Sequence, residues 1–408
     1  MTIKLHKSSI QKQTQITITG SKSESNRLLL LQALYPKLKI DNVSNSDDSK
    51  VMQSALASED HLIDIHHAGT AMRFLTSYFA CQEGREVVLT GSKRMKERPI
   101  EILVEALNQL GADITYDETY GCPPLKIKGK QLTKHKVALK ANVSSQYISA
   151  LLLVASSLNN GLELTLEGEI TSIPYINMTL NLLNQVGIKT EFKNQVITVT
   201  PKTDELSCDG LTVESDWSSA SYFYSIVALS PLNTEIILSS YKKDSLQGDS
   251  ALIDIYKFFG VQTTFEGDSV LLKKIKAIEN QSLEFQLNKS PDIAQTIAVT
   301  CLGLGMECYL TGLHTLKIKE TDRLVALQNE FEKLGATVDI TEDSLKLYAC
   351  SEINENIKIE TYNDHRMAMA FAPLALKTDL FIEDYMVVSK SYPTFWEDLS
   401  LLGFKFSK

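Results

Sequence analysis

No two of the six cysteines, at positions 81, 122, 208, 301, 308 and 350, are spaced C-x-x-C, and the seven histidines yield no H-E-x-x-H. Dedicated zinc and dithiol redox sites are therefore not expected, and a chain of 408 residues has no need of disulfide staples; most of the cysteines read as small buried apolar residues. No G-x-x-x-x-G-K-[ST] loop is present, and "GLG" at 303–305 lacks the third glycine of a dinucleotide fingerprint. No apolar run approaches the ~18 residues of a membrane span. The opening "MTIKLHKSSIQKQTQ" lacks the apolar core of a signal peptide, so a cytoplasmic location is expected. There is no excess of positive charge either. The net charge is −9, which gives nucleic-acid or anionic-membrane binding no global support. Any anionic ligand has to be caught by local clusters of Lys and Arg.

The composition that is present, 43% hydrophobic and 22% charged, is that of a globular protein, and the length suggests two or more domains. An internal repeat organises the chain. Amphipathic segments closing on an apolar residue plus glycine, then running into a strand-like stretch, place glycines at 111, 187, 260, 335 and 403, with separations of 76, 73, 75 and 68. A second helix type recurs in phase: a polar start followed by an almost wholly apolar body, which predicts burial on every side. Its starts, marked by Ser23, Thr70, Ser145, Ser218, Asp292 and Asp364, lie 47, 75, 73, 74 and 72 residues apart. The fold class is thus α/β: six units of about seventy residues, the first short by some twenty-five, grouped as two three-unit domains that join near residue 215.

The chemistry-bearing residues sit at the helix starts. "GSKSESNR" at 20–27 reads locally as a capping box, Ser21 with Glu24. That leaves Lys22 unexplained, because a cation in the first helical turn opposes the helix dipole unless an anion is there as well. "SSQ" at 144–146 is either simple N-capping by Ser144 or a phosphate-type site. Asp292 with Gln295 could be an Asp-x-x-Gln cap, Asp364-His365-Arg366 a cap with a solvated charge pair, and Glu320 with Arg323 a surface ion pair at i, i+3. The run "KRMKERP" at 93–99 reads singly as a solvated face. Taken together, Lys22, Arg27, Arg98, Arg323, Arg366 and Lys390 recur with the unit, as would suit a pair of multiply charged anions.

The motifs "GSKSESNR", "AGTAMR", "RMKERPI", "SSQYISALL", "IPYINMTL", "SDWSSASYF", "PDIAQTIAV", "KIKETDRL" and "YNDHRMAMA", in this order over residues 20 to 370, resemble those of the 3-phosphoshikimate 1-carboxyvinyltransferase (EPSP synthase) family. The resemblance implies an inside-out α/β barrel of two domains, each built from three βαβαββ units with buried helices. Its boundaries would be 20–214 for the N-terminal domain, and 1–19 with 215–408 for the C-terminal one. It implies transfer of the enolpyruvyl group of phosphoenolpyruvate to the 5-hydroxyl of shikimate 3-phosphate, with no cofactor or metal, by a monomer whose partners are small molecules.

The ligand sets that the resemblance implies are as follows. Shikimate 3-phosphate would meet Lys22, Ser23, Arg27, Ser144, Ser145, Gln146, Ser172, Tyr175, Asp292, Thr315 and Lys319. Phosphoenolpyruvate would meet Lys22, Gly69, Arg98, Gln146, Arg323, Arg366 and Lys390. Lys22, Asp292 and Glu320 would carry the proton transfers. Three positions depart from the family pattern. His67 and Thr315 stand where asparagine is usual, and Phe74 where proline is usual, which bears on the phosphoenolpyruvate pocket and on the response to the family inhibitor glyphosate. The sister enzyme acting on UDP-N-acetylglucosamine is the nearest rival, and it would need a reactive cysteine in a glycine-rich loop. Cys122 is followed by Pro-Pro. A non-catalytic metabolite-binding protein on the same fold would have no reason to keep Lys22, Asp292, Glu320, Arg323 and Arg366 together.

Overall fold

The structure, a computed structural model, describes the chain except residues 12, 141–143, 169, 171–172, 203–205, 209 and 279–281. It divides into two compact units, Gly20–Val213 and Met1–Thr19 with Glu214–Lys408. Glu214 belongs with the C-terminal unit, where its carboxylate accepts hydrogen bonds from Trp217 Nε1, Ser245 Oγ and the Lys242 amide.

One segment of the N-terminal unit shows the repeating design. The strand Lys136–Lys140 leads into the buried helix Ser145–Ala155, and the strand Leu162–Glu167 returns parallel to the first. The amphipathic helix Ile173–Gln185 follows, and then the hairpin Thr190–Lys193 with Val196–Val199, whose second strand pairs antiparallel with Leu162–Glu167. Three other four-stranded sheets have the same order, one parallel pair with a hairpin added at its second strand, and in the fourth Thr2–His6 and Lys405–Ser407 take the hairpin's two places.

The first unit differs. Among the described residues its strand Lys39–Asp41 pairs only with Gly210–Thr212, in parallel, and after the helix Asp47–Ala57 the chain passes directly into Leu62–Asp64, the first strand of the next unit. The shortfall near residue 60 is therefore a whole hairpin. The N-terminal segment serves two units of the other half. Thr2–His6 lies between Leu380–Glu383 and Lys405–Ser407, completing the last sheet, while Gln13–Thr17 runs parallel to Glu235–Ser239.

The six helices with polar starts are Lys22–Leu34, Gly69–Ala80, Ser145–Ala155, Trp217–Leu229, Ala294–Leu304 and His365–Phe371. Their bodies carry almost no polar face, so they can only be interior. In Trp217–Leu229 every residue but Ser218 is buried. In the N-terminal unit the first three pack on one another, and in the C-terminal unit Ala294–Leu304 packs against both its companions. Only Cys301 and Cys308 are fully buried; the other four cysteines are half-buried, which corrects the expectation of a mostly buried set.

All five repeat glycines, 111, 187, 260, 335 and 403, have φ between 73° and 108°, the left-handed stop that lets each amphipathic helix turn back into the sheet. At Gly260 a Cβ would also come 2.2 Å from the Lys276 carbonyl oxygen, whereas at Gly267, with φ of 62°, it would meet nothing. Gly267→Ala should therefore cost about 1 kcal/mol, the strain of φ > 0 alone. Gly260→Ala should cost at least twice that in denaturant unfolding, and equal losses would contradict the close-approach argument.

Candidate active site

In the N-terminal unit three buried helices begin close together. Ser144 caps the helix Ser145–Ala155 by accepting from the Gln146 amide, and the Gln146 side-chain amide donates to Thr70 Oγ1 at 3.2 Å, in the first turn of Gly69–Ala80. Ser145 is 7% exposed. Deeper down, Arg27 of Lys22–Leu34 donates from Nε to Thr179 Oγ1 (2.8 Å), from Nη2 to Ser149 Oγ (3.0 Å) and the Tyr175 carbonyl (3.4 Å), and from Nη1 to the Ser23 carbonyl (2.7 Å). Only 2% exposed, its guanidinium has its pKa pushed down to about 10 by burial, partly offset by Tyr175 and Glu24.

Ser21 is the N-cap residue of Lys22–Leu34, yet its side chain makes no capping hydrogen bond, so the capping-box reading is corrected. Lys22 does have an anion beside it, the Asp48 carboxylate at 3.4 Å. Asp48 belongs to the helix Asp47–Ala57, which Ser46 caps through the Ser49 amide. This supplies a counter-charge that the sequence reading had assigned wholly to ligands.

Arg98 follows the turn Met95–Glu97, and its guanidinium lies directly over Gly69: a Cβ there would be 2.6 Å from Nη1. Glycine is thus required for the arginine to reach the start of the helix. Arg73, 4% exposed, donates to the Gly69 and Pro99 carbonyls. Its pKa is pushed down to about 10, by burial first and by Arg98 next. Among the described residues the Arg98 guanidinium has no ion-pair or hydrogen-bond partner. A cation at a helix N-terminus is an arrangement that can receive an anion. Ser172 lies outside the described residues.

The C-terminal unit carries a different cluster, centred on Arg323 at 2% exposure. Its Nε donates to Asp364 Oδ2 (2.6 Å), its Nη1 to Asp292 Oδ1 (2.9 Å) and its Nη2 to Glu320 Oε2 (2.9 Å). Burial alone would lower its pKa, but Asp364, Glu320 and Asp292 together raise it. Asp292 receives Lys319 Nζ at 3.3 Å on the same oxygen, while Arg366 approaches its other oxygen (3.5 Å) and donates to its carbonyl (3.1 Å). Burial would raise the Asp292 pKa; Lys319, Arg366 and Arg323 hold it well below the usual carboxylate range.

Asp292 is therefore not the N-cap of Ala294–Leu304; it sits in the turn Pro291–Ile293 without a capping bond. Asp364 does cap its helix, through the Arg366 amide, while also holding Arg323. Lys390 donates to the Asn363 carbonyl at 2.6 Å, and Thr315 has a buried hydroxyl with no hydrogen-bond partner among the described residues. Among those residues no group of three or more His, Cys, Asp or Glu side chains could hold a metal ion.

Asp249 had escaped sequence reading. It is 4% exposed and accepts from the Ser218 hydroxyl, which in turn accepts from Arg366 Nη2 at 3.3 Å. In "LQGDS" it reads as a loop aspartate, and nothing in the sequence signals the burial. Burial, and then the Asp292 charge, push its pKa up to about 6. With the folded pKa above the ordinary value, this group costs the fold stability as pH rises from about 4 to 6. Asp292 acts in the opposite sense, its contribution being lost as pH falls below the ordinary carboxylate pKa. Infrared difference spectra should show a protonated-carboxyl band that disappears as pH rises through about 6 and is absent in Asp249→Asn. A band unaltered by that substitution would refute the assignment.

These clusters can be compared with known proteins. The family model for EPSP synthase (3-phosphoshikimate 1-carboxyvinyltransferase) matches residues 52–399. The 3-phosphoshikimate 1-carboxyvinyltransferase of Bacteroides fragilis is 45% identical over 394 residues, covering 95% of each chain. That of Haemophilus influenzae is 36% identical over 424, covering 96% of each. Among solved structures, EPSP synthase from Acinetobacter baumannii aligns over the full length of both chains with a TM-score of 0.80 at 19% identity. The enolpyruvyl transferase NikO from Streptomyces tendae, covering 100% of this chain and 98% of that one, reaches 0.75 at 13%. The two structural likenesses speak to the fold, and the sequence matches go further: the chain belongs to the EPSP synthase family.

Proposed function

We propose that the chain transfers the enolpyruvyl group of phosphoenolpyruvate to the 5-hydroxyl of shikimate 3-phosphate, releasing phosphate, as a step of aromatic biosynthesis. The observation that carries the reading is the Arg323 cluster. It joins an acid–base candidate, Glu320, to a hydroxyl-binding pair, Asp292 and Lys319, through one buried guanidinium. Family membership supplies the two substrates.

In this reading Ser144, Ser145, Gln146 and Ser172 take the phosphate of shikimate 3-phosphate, with Lys22 nearby. Ser23 and Arg27 take its carboxylate, Tyr175 packs its ring, and Asp292, Lys319 and Thr315 hold its hydroxyls. The buried, unpartnered Thr315 hydroxyl supports the last role. Arg323 and Arg366 meet the carboxylate of phosphoenolpyruvate, while Lys22, Arg98, Gln146 and Lys390 meet its phosphate beside Gly69. The chain works as a cytoplasmic monomer. No helix among the described residues is long and apolar enough to cross a membrane.

The chemistry is addition followed by elimination. The 5-hydroxyl oxygen bonds to C2 of phosphoenolpyruvate as C3 gains a proton from Glu320. The resulting tetrahedral intermediate returns that proton to Glu320 as the C2–O bond to phosphate breaks. Glu320 thus serves as acid and then base. Asp292, held ionised by Lys319, Arg366 and Arg323, is a weak base. It can take the hydroxyl proton once C–O bond formation has made that proton acidic, with Lys22 as the other candidate. Arg98 and Lys22 stabilise the departing phosphate.

Glu320→Gln keeps the size of the side chain but cannot exchange the proton. Turnover should fall by about 10²–10⁴-fold while shikimate 3-phosphate affinity barely moves. Arg323 is a poor comparison, since its loss removes the guanidinium that holds the fully buried Asp364 carboxylate and takes one of three cations from Asp292. Arg98→Ala is cleaner, and should raise the phosphoenolpyruvate KM by about 10- to 100-fold, the loss of a charge-assisted contact, with melting temperature unchanged. Steady-state kinetics and calorimetric binding separate the two effects. Near-full turnover in Glu320→Gln would overturn its role.

A further inference from the structure

Phe74, at a position where the resemblance to the family implies proline, lies in the second turn of Gly69–Ala80. Its side chain is fully buried, and its ring centroid lies 5.4 Å from Arg27 Cζ, with the Tyr175 ring at 5.9 Å from the same atom. The edge of that guanidinium is bonded to two hydroxyls and two carbonyls, all neutral. Four of its five N–H groups are used, leaving one on Nη1. Glu24, one turn before it on the same helix, acts on Arg27 electrostatically.

A buried cation whose hydrogen bonds go to neutral acceptors keeps its charge available to an incoming anion. Aromatic faces attract a guanidinium without neutralising it, and most strongly where water is excluded. A proline at 74 would present no such face. A leucine would fill much of the same space and offer no quadrupole.

We infer that Phe74 is a positioning residue that holds Arg27 for the carboxylate of the ring substrate, and so sets affinity for shikimate 3-phosphate rather than for phosphoenolpyruvate. This rests on the reading that gives Arg27 that carboxylate. The ring faces Arg27 of the neighbouring helix.

The test uses the full-length enzyme with three changes: Phe74→Leu, site-specific 3,4,5-trifluorophenylalanine at 74, and Arg27→Gln. The fluorinated ring keeps the shape and weakens the π face, so it distinguishes attraction from packing. Phe74→Leu should raise the KM for shikimate 3-phosphate by about 3- to 30-fold, the range of a cation–π contact from exposed to desolvated, and the fluorinated ring by a smaller factor in the same direction. The phosphoenolpyruvate KM and kcat should stay within about twofold, as expected when only uniform binding of the other substrate is lost. If Phe74→Leu fails to fold, the fluorinated variant decides. A shikimate 3-phosphate KM indifferent to fluorination would overturn the inference, whatever leucine does. Should Arg27→Gln also leave that KM unchanged, the fault lies in the assignment of Arg27; should Arg27→Gln raise it while both changes at 74 do not, only the role of Phe74 falls.

Discussion

A guanidinium taken out of water must have its N–H groups met and its charge compensated, and three arginines of this protein are buried at helix starts. They meet that constraint differently. Arg27 uses neutral oxygens and aromatic rings. Arg73 uses backbone carbonyls, and its Nε has no hydrogen-bond partner among the described residues, with the second cation Arg98 close by. Arg323 uses three carboxylates. The buried arginines of the N-terminal unit thus donate their hydrogen bonds to neutral groups, whereas that of the C-terminal unit donates to carboxylates. The first arrangement suits the capture of anions. The second suits proton transfer, because carboxylates shifted in opposite directions, Asp292 downward and Asp249 upward, lie on the two sides of Arg366.

The fold makes this possible by keeping charged residues out of the helix bodies. A helix surrounded by protein can afford charge only in its first turn or two, and that is where Lys22, Arg27, Arg73 and Arg366 occur. The glycine-stopped outer helices and their hairpins close the sheets around these interiors. Loss of one hairpin after Asp47–Ala57 removes part of that cover while leaving the start of Lys22–Leu34 and its Asp48 contact in place.

The repeat was legible because it depends on local rules: a left-handed glycine ends a helix, and an all-apolar body must be buried. The short first unit was legible as a gap in spacing, but its meaning as a missing hairpin was not, since spacing does not say which element has been lost. At the site, residue types were readable and partners were not. Asp292 looked like a cap and is instead the hub of three cations. Ser21 looked like half of a capping box and makes no such bond. Asp48, Asp249 and the stacking of Phe74 on Arg27 depend on contacts between segments far apart in the chain, which no local pattern encodes.

The central claim is that two anionic substrates react here with each other. Phosphate release by the purified protein, followed with shikimate 3-phosphate alone, with phosphoenolpyruvate alone and with both, tests it most directly. The account predicts release only with both, in equal amount to 5-enolpyruvylshikimate 3-phosphate formed. Release from phosphoenolpyruvate alone at a comparable rate, or binding of both substrates without turnover, would contradict it.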